Sequence, residues 1–488
     1  MKEHKYIASG WVWLRKSDYA PSYLNHIRRV LTCYPKSTSE HSKAEPAPIR
    51  LYEDRREVLG VPRGWFTDQL DYSREAVIER VSDGSPIDTS VKSLMRFKGP
   101  FKEQGNALEV MRDYMNLKGF GGFLLQAGCG FGKTNTALEL AYRNGRRTLI
   151  LVHKEFFLRQ WRERIETFFT GAKIGYIRQD SCDFEGCDFV IGMLQSIARD
   201  DGAGSKYNPA MYEAFGMVIS DECHRIGAQS WSSIVPRFTA RWRVGLTATP
   251  RRKDDAEMVF FKHIGPIIYR AKTSALVPEV RVLETQATLD GKRVYGRFKP
   301  ADSLGHTEVL SQLVKDDKRN RLIAEVVSRA VANGRKVMII SERLKHLDSI
   351  KEQFFEELLR LDYELDPDVQ VDYMVGSRSE NELKEAESAN VILATKQMVE
   401  EGLDVPAIDV LVLATPMSDV EQTVGRVRRH CKPSKDKCPK MCPWRAHECT
   451  GKPHPIVVDV HDPGIPQSMR KVKRRNDFYT KIKGGHNG

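Results

Sequence analysis

Ala127-Gly-Cys-Gly-Phe-Gly-Lys133-Thr134 sets a lysine and a threonine at the end of a small-residue loop, directly after the apolar run Phe123-Leu-Leu-Gln-Ala. A strand, such a loop and a helix gather backbone N–H groups around an anion at the helix N-terminus. Gly128, Cys129, Gly130, Phe131 and Gly132 would then wrap nucleotide phosphates. Lys133 would reach the β- and γ-phosphates, and the Thr134 hydroxyl would bind Mg2+. The usual pattern opens on glycine, where this chain has Ala127.

Asp221-Glu-Cys-His224 follows a second apolar run, Val218-Ile-Ser. Asp221 is suited to hold Mg2+ through water, and Glu222 to position or deprotonate an attacking water. Adjacent acids on a turn are common, and it is their place downstream of a phosphate loop that gives this pair its meaning. Thr247-Ala-Thr249 ends another strand. Its hydroxyls can couple the Mg2+ side to a domain interface, or simply close a turn before Pro250. Gln422-Thr-Val-Gly-Arg-Val-Arg-Arg429 places Arg426 and Arg429 three residues apart, hence on one helix face. Both can point at phosphate charge that develops during transfer, as arginine fingers do. Gln422 belongs to the same catalytic group. A plain basic helix is the alternative, and Arg428 lies off that face.

Cys431, Cys438, Cys442 and Cys449 put four of the nine cysteines within nineteen residues. Small loops of this kind often fold around tetrahedral Zn2+, with His447 as a reserve ligand here. The spacing lacks a Cys-x2-Cys pair, so unliganded thiols and an iron–sulfur cluster stay open. Cys182 and Cys187 read as structural. The basic run Arg470-Lys-Val-Lys-Arg-Arg475 is a solvated helix face or a phosphate contact.

These groups need a scaffold. Near-continuous apolar runs at Thr148-Leu-Ile-Leu-Val, Phe189-Val-Ile-Gly-Met, Met217-Val-Ile-Ser and Val244-Gly-Leu-Thr are separated by helical patterns. This predicts a parallel sheet covered on both faces. Thr134 to Asn144 reads as a helix stopped by Gly145. A second series, Val337-Met-Ile-Ile, Val391-Ile-Leu-Ala, Val410-Leu-Val-Leu and Ile456-Val-Val-Asp-Val, predicts a second α/β half. The expected organisation is an accessory, DNA-binding β-rich domain over 1–95, a first α/β domain over 96–271 and a second over 272–466. The second carries the Cys-rich insertion 431–449, and a basic tail follows over 467–488. Trp11, Trp13 and Tyr19 of the first segment can stack on bases or pack in a core.

With 488 residues the chain exceeds one core, and 41% apolar content suffices for folded domains. The net charge of +12 suits a polyanionic partner. No run of about 18 apolar residues occurs, which predicts no membrane span. The start lacks signal-peptide character. A reducing, cytoplasmic setting and no secretion are expected, and the protein is expected to be a monomer.

Over about 104–430 these motifs resemble superfamily 2 helicases and translocases, whose phosphate loop takes the Ala-x-x-Gly-x-Gly-Lys-Thr form. Gly245-Leu-Thr-Ala-Thr-Pro-Arg-Arg-Lys-Asp, with Ile264-Gly-Pro-Ile-Ile-Tyr, is similar to the XPB, RecG and UvsW side of that superfamily rather than to DEAD-box RNA helicases. Phage branch-migration helicases are the nearest similarity, and poxvirus transcript-release helicases share the Cys-Gly-Phe-Gly-Lys-Thr loop. Cys223 replaces the alanine or serine usual in the Asp-Glu-x-His box. The resemblance implies two tandem RecA-like domains and a Gln104 that reads adenine. It also implies nucleic-acid contacts by His153, Lys154, Gln195, Ser196 and Thr395, and nucleotide contacts by Gly402 and Asp404. ATP and Mg2+ are the implied cofactors. Duplex, forked or branched DNA is the implied partner, with ATP-driven unwinding or branch migration as the activity. An RNA helicase or a non-catalytic nucleic-acid-binding module are the alternatives.

Overall fold

The computed structural model describes the chain apart from residues 1–5, 37–45, 71, 73, 99–100, 129, 200–205, 226–231, 251, 253, 272–276, 295–296, 361–368, 401–407, 419, 428–453 and 485–488. It divides into two compact units, Met1–Thr273 and Ser274–Gly488.

The first unit is built on an eight-stranded sheet. Its order is Ser181–Cys182, Ile174–Arg178, Phe189–Met193, Thr148–Val152, Met217–Ser220, Trp242–Thr247, Gly121–Gln126 and Ile267–Arg270. All neighbours run parallel except the short edge strand Ser181–Cys182. Thr148–Val152, Met217–Ser220 and Trp242–Thr247 are buried at every position. That is why they read as unbroken apolar runs. The helix Lys133–Asn144 leaves the phosphate loop and stops at Gly145, whose φ of 67° is left-handed.

The first 95 residues carry a five-stranded sheet in the order Glu53–Asp54, Val58–Val61, Val12–Arg15, Tyr6–Ala8, Val77–Glu79, together with the helices Pro21–Val30 and Arg63–Gln69. This sheet has no core of its own. Ala8, Val12, Leu14, Leu59 and Phe66 belong to one buried cluster with Leu124, Val218, Phe238 and Ile264 of the large sheet and its covering elements. The aromatic side chains proposed for base stacking have protein partners. The Trp11 ring meets His263 edge-on at 5.5 Å, the Arg55 guanidinium lies 4.3 Å over Trp13, and the Tyr19 hydroxyl donates to the Tyr6 hydroxyl at 3.3 Å.

Two buried arginines join this segment to the large sheet. Arg63, fully buried, donates to the carbonyls of Ala240 (2.6 Å), Arg241 (2.6 Å), Gly121 (3.0 Å) and Ser9 (3.2 Å). Arg243 donates to the carbonyls of Gly10 (2.7 Å) and Phe238 (2.8 Å). A buried cation is tolerated only when its donors are used. Here carbonyl dipoles, rather than a carboxylate, use the terminal nitrogens, while both Nε atoms are buried without a hydrogen-bond partner. Arg63→Ala would remove four charge-assisted hydrogen bonds to buried carbonyls, each worth about 1.5–3 kcal/mol, although Arg241 O keeps the Gly121 N–H at 3.1 Å. We expect chemical denaturation to show the first unit destabilised by about 3 kcal/mol or more. A loss under about 1 kcal/mol would show that the clamp contributes little. By the same packing, a chain lacking residues 1–95 is expected to be insoluble or unfolded rather than a free-standing motor.

The second unit is a six-stranded, wholly parallel sheet in the order Glu279–Glu284, Ile456–His461, Val410–Leu413, Val337–Ser341, Val391–Thr395, Val371–Met374. The basic tail is a packed helix, Pro466–Gly484. Val472, Tyr479 and Ile482 are buried. Arg475 is buried as well, and it grips Asp459 through Nε at 2.9 Å and Nη2 at 2.8 Å. Arg470, Lys473 and Arg474 are the members of the basic run left exposed. The charge run thus hid a helix with one buried face.

His346 is buried in this unit between the Ser341 hydroxyl (3.0 Å) and Asn320 Oδ1 (2.9 Å), and burial, followed by the nearby Arg319 charge, pushes its pKa down to about 3. In the unfolded chain a histidine titrates near 6.5. Below that pH the unfolded state binds the extra proton, so stability is lost as pH falls from 6.5 toward 3. The expected slope is about 1.4 kcal/mol per pH unit for this group. Urea midpoints of the second unit measured between pH 7 and 5 should fall, and should fall less steeply in His346→Gln. An equal slope in the variant would remove His346 as the cause.

Candidate active site

The phosphate loop leaves the strand Gly121–Gln126 and is tied to its neighbour where Ala127 N donates to Thr247 O at 2.9 Å. Gly130 and Gly132 both have φ of 87°, a left-handed conformation that other residues adopt only at a cost. The loop therefore turns sharply into the helix that begins at Lys133, which brings first-turn N–H groups to its mouth. Thr134 sits in that first turn. Lys133 Nζ donates to Ala127 O at 3.0 Å and lies 3.4 Å from Glu222 Oε1.

The acidic pair caps the strand Met217–Ser220. Asp221 is 7% exposed; its Oδ2 accepts from Trp161 Nε1 at 2.8 Å and its Oδ1 from Glu222 N at 2.9 Å. Burial, then the adjacent Glu222 charge, raises its pKa to about 6. Glu222 has a φ of 43°, unusual for a residue with a side chain. Strain of this kind gathers at functional sites. Glu222 Oε2 faces His224 Nδ1 at 3.4 Å, and His224 Nδ1 also meets Thr247 Oγ1 at 2.9 Å. Because the Thr247 hydroxyl donates to Thr249 O at 2.9 Å, it must accept from His224, which places the imidazole proton on Nδ1. Lys133, Asp221, Glu222, His224 and Thr247, spread over 115 positions of sequence, thus form one linked constellation.

The residues fit Mg2+. Two like charges side by side, one in a buried carboxylate held near pH 6, call for a cation, and Asp221 and Thr134 offer the hard oxygen donors that Mg2+ takes. Among the described residues no group of three or more His, Cys, Asp or Glu is placed to hold a metal.

Residues 97–252 match the family described as type III restriction enzyme, res subunit, and residues 317–431 match the helicase conserved C-terminal domain. This chain belongs to the superfamily 2 helicases. An Acanthamoeba polyphaga mimivirus protein named as a "putative ATP-dependent RNA helicase" is 27% identical over 473 residues, covering 94% of this chain and 82% of that one. A "probable helicase" of Escherichia phage T5 is 24% identical over 337 residues, covering 68% and 66%. Among solved structures, T4 UvsW aligns with 98% of this chain and 97% of its own at 17% identity and a TM-score of 0.40, too distant to carry an argument.

The helicase is an ATP-hydrolysing enzyme, and its other expected site residues fall as follows. Gln104, on the helix Lys102–Lys118, donates from Nε2 to Phe131 O at 2.7 Å. Its Oε1 is buried and without a hydrogen-bond partner. A free acceptor beside the phosphate loop is what an adenine amino group would satisfy. Gln195 Nε2 donates to His153 O, linking the loops that follow two adjacent parallel strands. Ser196 is 7% exposed, and its hydroxyl accepts from Gln179 N at 2.8 Å, so it braces the loop from within. Lys154 precedes the helix Glu155–Phe168 as its N-cap.

In the second unit Thr395 ends the strand Val391–Thr395, and Gln422 and Arg426 lie on the helix Glu421–Val427. Cys129, Gly402, Asp404, Arg429 and the four cysteines Cys431, Cys438, Cys442 and Cys449 lie outside the described residues. Two residues escaped the sequence reading. Trp161 looks like an ordinary core tryptophan in a helix. Arg252 donates from Nη1 to His224 O at 2.7 Å and pairs with Asp254 through Nη2 at 2.7 Å, which holds the acidic turn in place. The basic pair after Thr247-Ala-Thr249 was its only signal.

Proposed function

We propose that this helicase couples ATP hydrolysis to translocation on DNA, with duplex, forked or branched DNA as its substrate, and that it acts as a monomer. The observation that carries the coupling is the chain Glu222–His224–Thr247, in which the hydrolytic carboxylate is linked to the end of a neighbouring strand. In this reading Lys133 and the loop residues 128–132 hold the β- and γ-phosphates. Asp221 and Thr134 hold Mg2+, which when bound neutralises phosphate charge. Glu222 orients the attacking water and takes its proton, with His224 Nδ1 3.4 Å from the carboxylate. Gln104 reads the adenine. Gly402, Asp404 and Gln422 touch the nucleotide side from the second unit, and Arg426 and Arg429 supply charge to the transferring phosphate. His153, Lys154, Gln195, Ser196 and Thr395 line the path of the nucleic acid, with the Ser196 role passing through loop geometry.

DNA is favoured by the resemblance of the Gly245–Asp254 stretch, with Ile264–Tyr269, to branch-migration helicases, and the net charge of +12 suits either nucleic acid. RNA is the second reading, favoured by the name of the mimivirus relative that spans 94% of the chain. One ATPase assay with single-stranded DNA, duplex DNA, a four-way junction and RNA in parallel decides it. Stimulation by DNA well above that by RNA is expected, and stimulation by RNA alone would overturn the DNA reading.

We also propose one structural Zn2+ per chain on Cys431, Cys438, Cys442 and Cys449, whose soft thiolates suit that ion. Elemental analysis of protein purified without chelator should find about one zinc per chain, since a closed four-thiolate site is tight. Content far below this, unchanged by Cys438→Ser, would leave these as plain thiols. A reducing cytoplasm is supported by Cys33, Cys182, Cys187 and Cys223, all free thiols. Among the described residues no helix is long and apolar enough to cross a membrane.

A further inference from the structure

We infer that Trp161 is a positioning residue for the Mg2+-side carboxylate, orienting Asp221 through its indole N–H. The inference rests on the reading of Asp221 as that carboxylate.

Trp161 lies on the helix Glu155–Phe168 and is fully buried among Leu125, Ile150, Val152, Ile191 and Ile219. An apolar site of this kind could be filled by phenylalanine or leucine. What tryptophan adds is one donor, and a buried indole N–H needs an acceptor. That donor is aimed at Asp221 Oδ2, at 2.8 Å and across 60 positions of sequence. The other oxygen, Oδ1, accepts from the Glu222 backbone N–H at 2.9 Å. One donor is fixed to the main chain and the other to a ring packed on all sides, so neither can follow the carboxylate if it rotates. The two bonds together fix the carboxylate plane before nucleotide arrives. The lone pairs they leave free are those that would accept from water around Mg2+. Groups behind a metal's ligands commonly govern affinity in this way, and removing one costs about 10- to 100-fold.

The test is equilibrium binding of a fluorescent ADP analogue to full-length protein, titrated with Mg2+ and repeated without it. Trp161→Phe is expected to raise the Mg2+ midpoint about tenfold or more and to leave Mg2+-free nucleotide binding unchanged. Trp242→Phe is the packing control: Trp242 is 4% exposed in the same core and should leave the midpoint in place. Replacing Trp161 by 3-benzothienylalanine keeps the shape and exchanges only the N–H for sulfur. This second variant answers the question if Trp161→Phe fails to fold, and the same rise is expected. A folded variant with an unshifted midpoint overturns the inference. If Asp221→Ala also leaves the midpoint unshifted, the reading of Asp221 has failed first. If Asp221→Ala moves it and neither Trp161 variant does, only the role of Trp161 is lost.

Discussion

Lys133→Ala is expected to abolish ATP turnover while the first unit stays folded. Lys133 Nζ sits between Ala127 O at 3.0 Å and Glu222 Oε1 at 3.4 Å, at the mouth of the loop rather than in a hydrophobic cluster. Truncating it opens no core cavity. It does remove the ammonium that lies against Glu222, beside the Asp221-Glu222 acidic pair. A charge of that kind stabilises the transferring phosphate in the transition state, where its loss cannot be compensated by more ATP. The measurement is turnover at saturating ATP and nucleic acid, beside a thermal unfolding curve. Turnover within about threefold of the parent would mean about 0.7 kcal/mol of barrier, too little for the assigned role. Loss of turnover together with an unfolded first unit would instead point to a structural lysine.

Most of the site constellation could be read from the sequence because its parts are local. The loop, the Asp221-Glu222 turn and Thr247 each lie at the end of a strand buried along nearly its whole length, and continuous apolar runs are the easiest strands to recognise. The outer strands were harder. Ile174–Arg178 and Val371–Met374 are only partly buried, and Glu279–Glu284 is mostly exposed, so none shows an apolar run. The fusion of the N-terminal sheet with the first unit could not be read at all. It depends on Arg63 and Arg243, residue types that normally sit in water, reaching carbonyls up to 233 positions away. Arg475 misled for the same reason, because its partner Asp459 sits in a strand that otherwise reads as plain core. Trp161 was invisible as a functional residue because a helix periodicity reports burial and says nothing of where an indole N–H points. Groups expected to act through their own atoms could be named from the sequence, whereas those that hold others in place could not.

Arg426→Ala and Arg429→Ala are each expected to cut turnover by about 10³ or more, as the loss of an arginine finger does, which is about 4 kcal/mol of barrier. On the helix Glu421–Val427, Thr423, Val424 and Gly425 are buried, so the helix is packed into the second unit. Gln422 and Arg426 are four apart and share a face, and the three-residue step to Arg429 continues it if the helix does. This helix belongs to the second unit while the phosphate loop belongs to the first. ATP can therefore bind to the loop, Lys133 and Gln104 without the arginines, and only the hydrolytic step should need them. Nucleotide affinity in both variants should stay within a few-fold of the parent while maximal turnover collapses, the signature of an interaction made in the transition state alone. Weaker ATP binding with undiminished maximal turnover would assign these arginines to ground-state binding. If Arg426→Ala is silent and Arg429→Ala is not, the finger is a single residue and the face-sharing argument fails for its partner.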